Sequence, residues 1–471
     1  MIAALTKMGG LAVLVYTVFA ASFGSGHDSL ELAGGAFVVG NALLFASVVA
    51  SPRRGAVSLM VSFFFLFFVA LPAYVQTDAG VFPFASTYGE RQILSGIVAV
   101  SMFQIIYELS TFVRSPPITR RKRQFPGIGP NVVRWVWGLN AALLAGALYL
   151  GPSRLFETRF GNDDSLGGEV ADTLATQLLL VGRSTSILLL VVSLLIMRGR
   201  REVGVHRNQM KLAVFSAAVF LIYNFPPALP RFQLLGAMLA VSLIFLDLFK
   251  PWLKTLFSLS ALIFLFAVFP NLKSLAGDQN ALTQQLSASE YLLRADFDAF
   301  KQVVDTITYL GAGGSLRGID SATGLLFFWI PRSVWESKPI SAGELVASSL
   351  GHPYTNVSSP IPAEALLAGG AFGLALVAFL MGIVIVKLEN STLTSLREAN
   401  FGVCVALYAI AAGYTTIIMR GALNAVGPMV MPGFLLCAVF AVVGLRDNRL
   451  GNERHSDGRA NTLNVRSNRA R

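Results

Sequence analysis

The chain has 471 residues, of which 54% are hydrophobic and only 13% charged, a balance that excludes an ordinary soluble globular protein. Its net charge of +11 reads as a topogenic signal and an anchor to anionic inner-leaflet lipid rather than as a nucleic-acid footprint. Four histidines and two cysteines are scattered, and Cys404 and Cys437 fall within apolar stretches, so neither a disulfide nor a metal centre is indicated and no cofactor is implied.

Apolar blocks of about 20 residues, the length that crosses a ~30 Å hydrocarbon core, recur along the chain. About twelve can be drawn, near 3–23, 32–50, 56–75, 92–113, 135–151, 173–197, 212–229, 232–249, 255–270, 365–386, 401–419 and 422–445. The first reads as a span and not a removable signal peptide, because 24–27 offers no convincing small-x-small cleavage site and more spans follow at once. Arg53-Arg54, the run 120–123, the stretch 198–211, Lys250, Lys254, Lys387 and Arg397 all fall on one side when spans are counted off. With an arginine-rich tail on that side too, both termini are expected in the cytoplasm. The expected architecture is an all-α polytopic membrane protein: helices one to nine in 1–270, a large, partly helical extracytoplasmic loop over 271–363, helices ten to twelve in 364–446, and a basic, disordered cytoplasmic tail over 447–471.

Inside the large loop, Ser287-Ala288-Ser289-Glu290 forms a capping box. Leu293, Phe297, Phe300, Val304 and Ile307 follow at three- and four-residue steps, one apolar stripe of a helix that ends at 311–314. That stripe is expected to pack on the membrane domain or lie among lipid headgroups. A second capping box, Ser341-Ala342-Gly343-Glu344, opens a shorter helix that stops at Gly351. Between the two helices lies Trp329 to Pro339, WIPRSVWESKP, in which rigid prolines, aromatic platforms and two cations suit an anionic or sugar-bearing ligand.

Several residues elsewhere carry candidate chemistry. Arg183 sits in the outer half of the sixth block beside Ser184, Thr185 and Ser186, where it either snorkels or faces a functional interior. Arg420, at the outer end of the eleventh, is either an interface anchor or a ligand for phosphate. Arg294, Arg317, Arg332 and Lys338 are further outside cations, and arginine forks bind phosphate oxygens bidentately. On a continuous helix Asp296 and Asp298 point about 200° apart and cannot grip one ion. Asp163-Asp164 is unspecific. Glu364 opens the tenth block before the glycine-rich 369–373, as a first-turn acid or as a general base, and His352 is a second candidate base.

Ile330 to Pro339 resembles the PR-x-x-W-x-x-K-P signature of Wzy-type O-antigen and exopolysaccharide polymerases. Glu364 and the glycines of 369–373 stand where that pattern has its glutamate and glycine-rich span start, and Arg294-Ala295-Asp296 and Arg420-Gly421 resemble its recurrent arginines. Gly351-His352-Pro353-Tyr354 is reminiscent of O-antigen ligases. The resemblance implies a GT-C type membrane glycosyltransferase, metal-independent and inverting, in the bacterial plasma membrane. It would extend glycan on undecaprenyl-diphosphate-linked oligosaccharide, with a chain-length regulator protein as partner. Arg183, Arg294, Arg317, Arg332, Lys338, Arg420 and Trp335 would bind substrate and its diphosphate, with Glu364 or His352 orienting or deprotonating the acceptor hydroxyl. A ligase moving finished glycan to another acceptor is the first alternative. A lipid-linked sugar transporter is the second, but it would place charges at the bilayer midplane and has no use for the large loop.

Overall fold

The structure, a computed structural model, describes residues 1–24, 27–112, 128–156, 170–199, 206–269 and 287–468. The basic run 120–123, the pair Asp163-Asp164 and the first part of the large loop lie outside these residues. The membrane portion begins with α1 (Ile2–Phe23), α2 (His27–Ala50), α3 (Ala56–Ala79), α4 (Glu90–Ser110), α5 (Pro130–Phe156), α6 (Val170–Gly199), α7 (His206–Tyr223), α8 (Arg231–Ser242) and α9 (Pro251–Val268). Four short helices follow, α10 (Ala288–Leu292), α11 (Ala299–Gly311), α12 (Asp320–Leu326) and α13 (Ala342–Ser349), and then α14 (Ile361–Arg397), α15 (Val403–Arg420) and α16 (Leu423–Asn468).

All regular elements among the described residues are helical. Ten of them, α1 to α6, α9 and α14 to α16, are long and apolar enough to cross a membrane, so the chain is a multi-pass membrane protein. Blocks seven and eight of the sequence correspond to α7 and α8. The twelve residues of α8 extend about 18 Å, short of a hydrocarbon core. This short helix is nonetheless held in the bundle by direct backbone contact with α15. A Cβ added to Gly236 would meet the Gly413 carbonyl oxygen at 2.5 Å, and one added to Gly413 would meet that of Gly236 at 2.4 Å. Small residues at such a crossing let helices pack through their main chains.

Two departures from regular helix position the polar residues. In α14, Gly370 has φ +59° and ψ −143°, a conformation that only glycine adopts without strain. The break sets the first segment, 361–368, apart from the long apolar run, and Glu364 rides on that segment. The helix expected from Ser287 to Gly311 is likewise divided. Its capping box forms, with the Ser287 hydroxyl accepting from the Glu290 amide at 3.3 Å and the Glu290 carboxylate accepting from the Ser287 amide at 2.8 Å. The helix then stops at Leu292, passes through a 3-10 turn at Ala295–Phe297 and restarts as α11.

The interrupted segment is bound to the membrane helices. Gln76 of α3 donates to the carbonyls of Leu292 (2.9 Å) and Phe297 (3.0 Å), and the Phe297 ring stacks on Phe68 with centroids 5.2 Å apart. Phe297, Phe300 and Val304 are fully buried, so the apolar stripe packs on the membrane domain. Each phenylalanine contributes roughly 1.5–3 kcal/mol by leaving water. The second capping Ser, Ser341, accepts from the Glu344 amide at 3.2 Å, and the chain turns away after α13 at Gly351, with φ +71°. At the far end of the chain α16 runs on from its apolar part, Leu423–Arg446, to Asn468.

Candidate functional site

The face of α11 opposite its apolar stripe is also buried. Asp298, Lys301, Gln302 and Asp305 recur at helical spacing and are all at most 2% exposed. Asp305 is a hub: Tyr88 donates its hydroxyl at 2.6 Å, Lys301 Nζ lies at 2.5 Å, and His352 Nε2 approaches at 3.4 Å. The imidazole contact is an ion-pair distance without hydrogen-bond geometry. The turn after α13 presents His352, whose amide donates back to the Ala347 carbonyl at 2.9 Å. Burial raises the Tyr88 phenol well above its ordinary value, and the adjacent Asp305 carboxylate adds to the shift. Phe84, held at φ +62°, stacks on Tyr354 at 5.3 Å beside this cluster.

About 10 Å along α11, two turns away, Asp298 organises a second cluster. Arg420 donates to its Oδ1 at 3.2 Å and to the Ala295 carbonyl at 3.0 Å, and the Ser358 amide donates to its Oδ2 at 3.1 Å. Ser359 then donates its amide to the Arg420 carbonyl at 3.1 Å. The next turn of chain is the head of α14. There Glu364, buried, accepts the Leu423 amide at 3.0 Å, which ties it to the turn between α15 and α16. One helical turn beyond Glu364, the Leu367 carbonyl accepts the Arg317 amide at 2.8 Å. These backbone contacts bring Glu364, Arg317 and Arg420, on three segments distant in sequence, to one end of the bundle. Two guanidinium N–H groups there, Arg317 Nη1 and Arg420 Nε, are buried without a hydrogen-bond acceptor among the described residues. Buried donors of that kind mark a place where an anion or water is accommodated.

The segment 329–339 joins this end through Asn424, whose Nδ2 donates to the carbonyls of Ile340 (3.2 Å) and Pro339 (3.4 Å). Its cations turn inward on their own loop. Arg332 donates to the Lys338 carbonyl at 2.6 Å and the Pro339 carbonyl at 3.3 Å, while Lys338 donates to the carbonyls of Ile330 (2.8 Å) and Phe328 (2.9 Å). Partial burial lowers the Lys338 ammonium pKa, and Arg332 nearby lowers it further. Trp335 is half-buried, with its indole N–H on Ser337 at 3.0 Å and its ring edge-on to Phe327. This reciprocal stapling gives a short segment rich in prolines a fixed shape.

Arg183 lies apart from these contacts, and Arg294 precedes Ala295, whose carbonyl Arg420 binds. Arg183 is buried in α6 and donates to the carbonyls of Tyr223 and Ala228, both at 3.3 Å, so it closes the end of α7 and the 3-10 turn after it. Arg294 begins the 3-10 turn at 295–297, and its carbonyl accepts from the Phe297 amide at 2.9 Å. Asp296 and Asp298 go to different cations, Arg231 at 3.0 Å and Arg420 at 3.2 Å.

Sequence reasoning missed Tyr88, Lys301 and Asp305. The available signal was a lysine and an aspartate at i and i+4 on the polar side of an amphipathic helix, a pattern far more common on solvated faces. Comparison of the chain with protein-family models, curated proteins and solved structures finds no match.

Proposed function

We propose that the chain is a repeat-unit polymerase of the O-antigen and exopolysaccharide type in a bacterial plasma membrane, with cytoplasmic termini and twelve spans, the eighth completed by the turns that follow α8. It acts at the outer surface on undecaprenyl-diphosphate-linked oligosaccharide. The observation that carries this reading is that the buried carboxylate of Glu364 and the buried guanidinium groups Arg317 Nη1 and Arg420 Nε belong to segments hydrogen-bonded to one another at one end of the bundle. Glycosyl transfer needs that pair of functions. The acceptor hydroxyl oxygen attacks the anomeric carbon and its proton passes to Glu364. The bond from the anomeric carbon to the diphosphate oxygen breaks, and the electron pair leaves on the diphosphate, where the arginines stabilise the charge. The stapled segment 329–339 forms the adjacent wall for the incoming sugar, with Trp335 as its aromatic platform.

Incubation of the purified protein with a defined undecaprenyl-diphosphate oligosaccharide, followed by sizing of the product, tests the proposal. A ladder of repeat multiples is expected, and Glu364→Gln should slow its growth about 10²–10⁴-fold while the protein remains inserted and monodisperse. An unchanged rate would remove Glu364 from the role of base, and failure to extend any lipid-linked oligosaccharide would overturn the reading. His352 beside Asp305 favours a second reading, a ligase in which a carboxylate orients an imidazole toward the acceptor. A single transfer of preformed long glycan to a different acceptor distinguishes it.

A further inference from the structure

At the opposite end of the bundle, where α1 begins, a cavity of about 900 Å³ opens among the ends of α1, α2, α4 and α14. Its walls combine three cations, Lys7, Arg53 and Arg54, and one carboxylate, Glu389, with the apolar side chains of Val48, Phe112 and Val386. We infer that this cavity is a binding site for an acidic phospholipid, with the phosphate on the cations and the first part of the acyl chains against the apolar wall.

The charge balance supports an anion. Glu108 pairs with both Lys7 (2.7 Å) and Arg54 (3.1 Å). Glu389 accepts the amide and the hydroxyl of Ser58 at 2.8 and 2.7 Å. Lys254, fully buried just behind the wall, donates to the carbonyls of Val48 (2.6 Å), Arg54 (3.0 Å) and Ser51. Four cations therefore face two carboxylates, and Arg53 projects exposed from the rim. The sequence that follows Phe112 adds Arg114, Arg120, Arg121, Lys122 and Arg123 without an acid up to 127, so charge disfavours this segment as the occupant.

Size and wall chemistry favour a lipid over a free anion. A small-molecule site typically occupies about 300–1,000 Å³, whereas a bare phosphate fills only a small part of that space. The Lys7 ammonium lies 4.0 Å from the Phe112 ring centroid, which places apolar and cationic surfaces in contact, as a headgroup and its chains require. Basic pockets between membrane helices are recurrent sites for acidic headgroups.

Native mass spectrometry of the full-length protein in neutral detergent, titrated with phosphatidylglycerol or phosphatidylcholine, tests the assignment. Phosphatidylglycerol should occupy one saturable site and phosphatidylcholine should not. Because Arg53 is exposed, Arg53→Gln should keep the wild-type melting curve while weakening phosphatidylglycerol about fivefold. Lys211→Gln, on α7, should leave binding unchanged. Equal retention of the two lipids, or equal weakening by the two substitutions, would overturn the site. Complete displacement of the lipid by millimolar inorganic phosphate would show that the cavity takes a free anion instead.

Discussion

Segment 329–339 and helix α11 are both polar parts of one loop region, and they use their charges in opposite ways. Arg332 and Lys338 are conspicuous in the sequence, yet their donors reach carbonyls six to ten residues away. Lys301 and Asp305 resemble an ordinary solvated pair, yet they are buried and joined to Tyr88, 217 residues distant, and to His352. Unusual local composition here builds a rigid local shape. The buried polar cluster on α11, by contrast, is built from elements that only the fold brings together.

The contrast breaks most visibly at Asp305. Replacement by Ala leaves Lys301 buried without its carboxylate, a loss on the order of 3–5 kcal/mol. Thermal unfolding of the purified variant should show a large drop, and Asp305→Leu combined with Lys301→Met should recover most of it. If Asp305→Ala melts like the wild type, α11 carries no buried network and the difference between the two segments disappears.

Both capping boxes and the apolar stripe of α11 were legible in the sequence because their partners lie within four residues. The interruption at 293–298 was not. It depends on Arg231 and Arg420, which take Asp296 and Asp298 from 65 and 122 positions away, and these ion pairs compete with a continuous helix. Residue types alone marked Glu364, Arg317 and Arg420 as candidates. Their gathering at one end required the break at Gly370 and the turn between α15 and α16. Arg183 was conspicuous as an intramembrane charge, but its carbonyl partners at Tyr223 and Ala228 sit at and just beyond the end of another helix, where periodicity carries no information.

A smaller effect is expected in segment 329–339. Lys338→Met removes two hydrogen bonds from a charged donor but also removes a half-buried ammonium, so the net change should be about 1–2 kcal/mol. Proteolysis of the folded protein should report it as faster cleavage confined to 328–340. On the proposed reading, the same variant should raise KM for the lipid-linked substrate more than it lowers kcat, because a wall has been loosened and not a reacting group removed. A collapse of kcat at unchanged KM would instead assign Lys338 to the reacting centre and erase its contrast with α11.

The smallest effect belongs to Tyr88, and its signature is pH dependence. The folded protein holds this phenol protonated to a higher pH than the unfolded chain, whose value is 10.0. Above pH 10 the unfolded state therefore binds fewer protons than the folded state, and stability falls as pH rises. Below pH 10 the contribution is fully present. Tyr88→Phe should cost about 1 kcal/mol at neutral pH, for one hydrogen bond to a carboxylate, and should make the decline above pH 10 shallower. A melting curve measured from pH 8 to 11 distinguishes the two proteins. Identical alkaline limbs would mean that the Tyr88 hydroxyl is solvated and that the polar face of α11 opens to water, as the exposed side of segment 329–339 does.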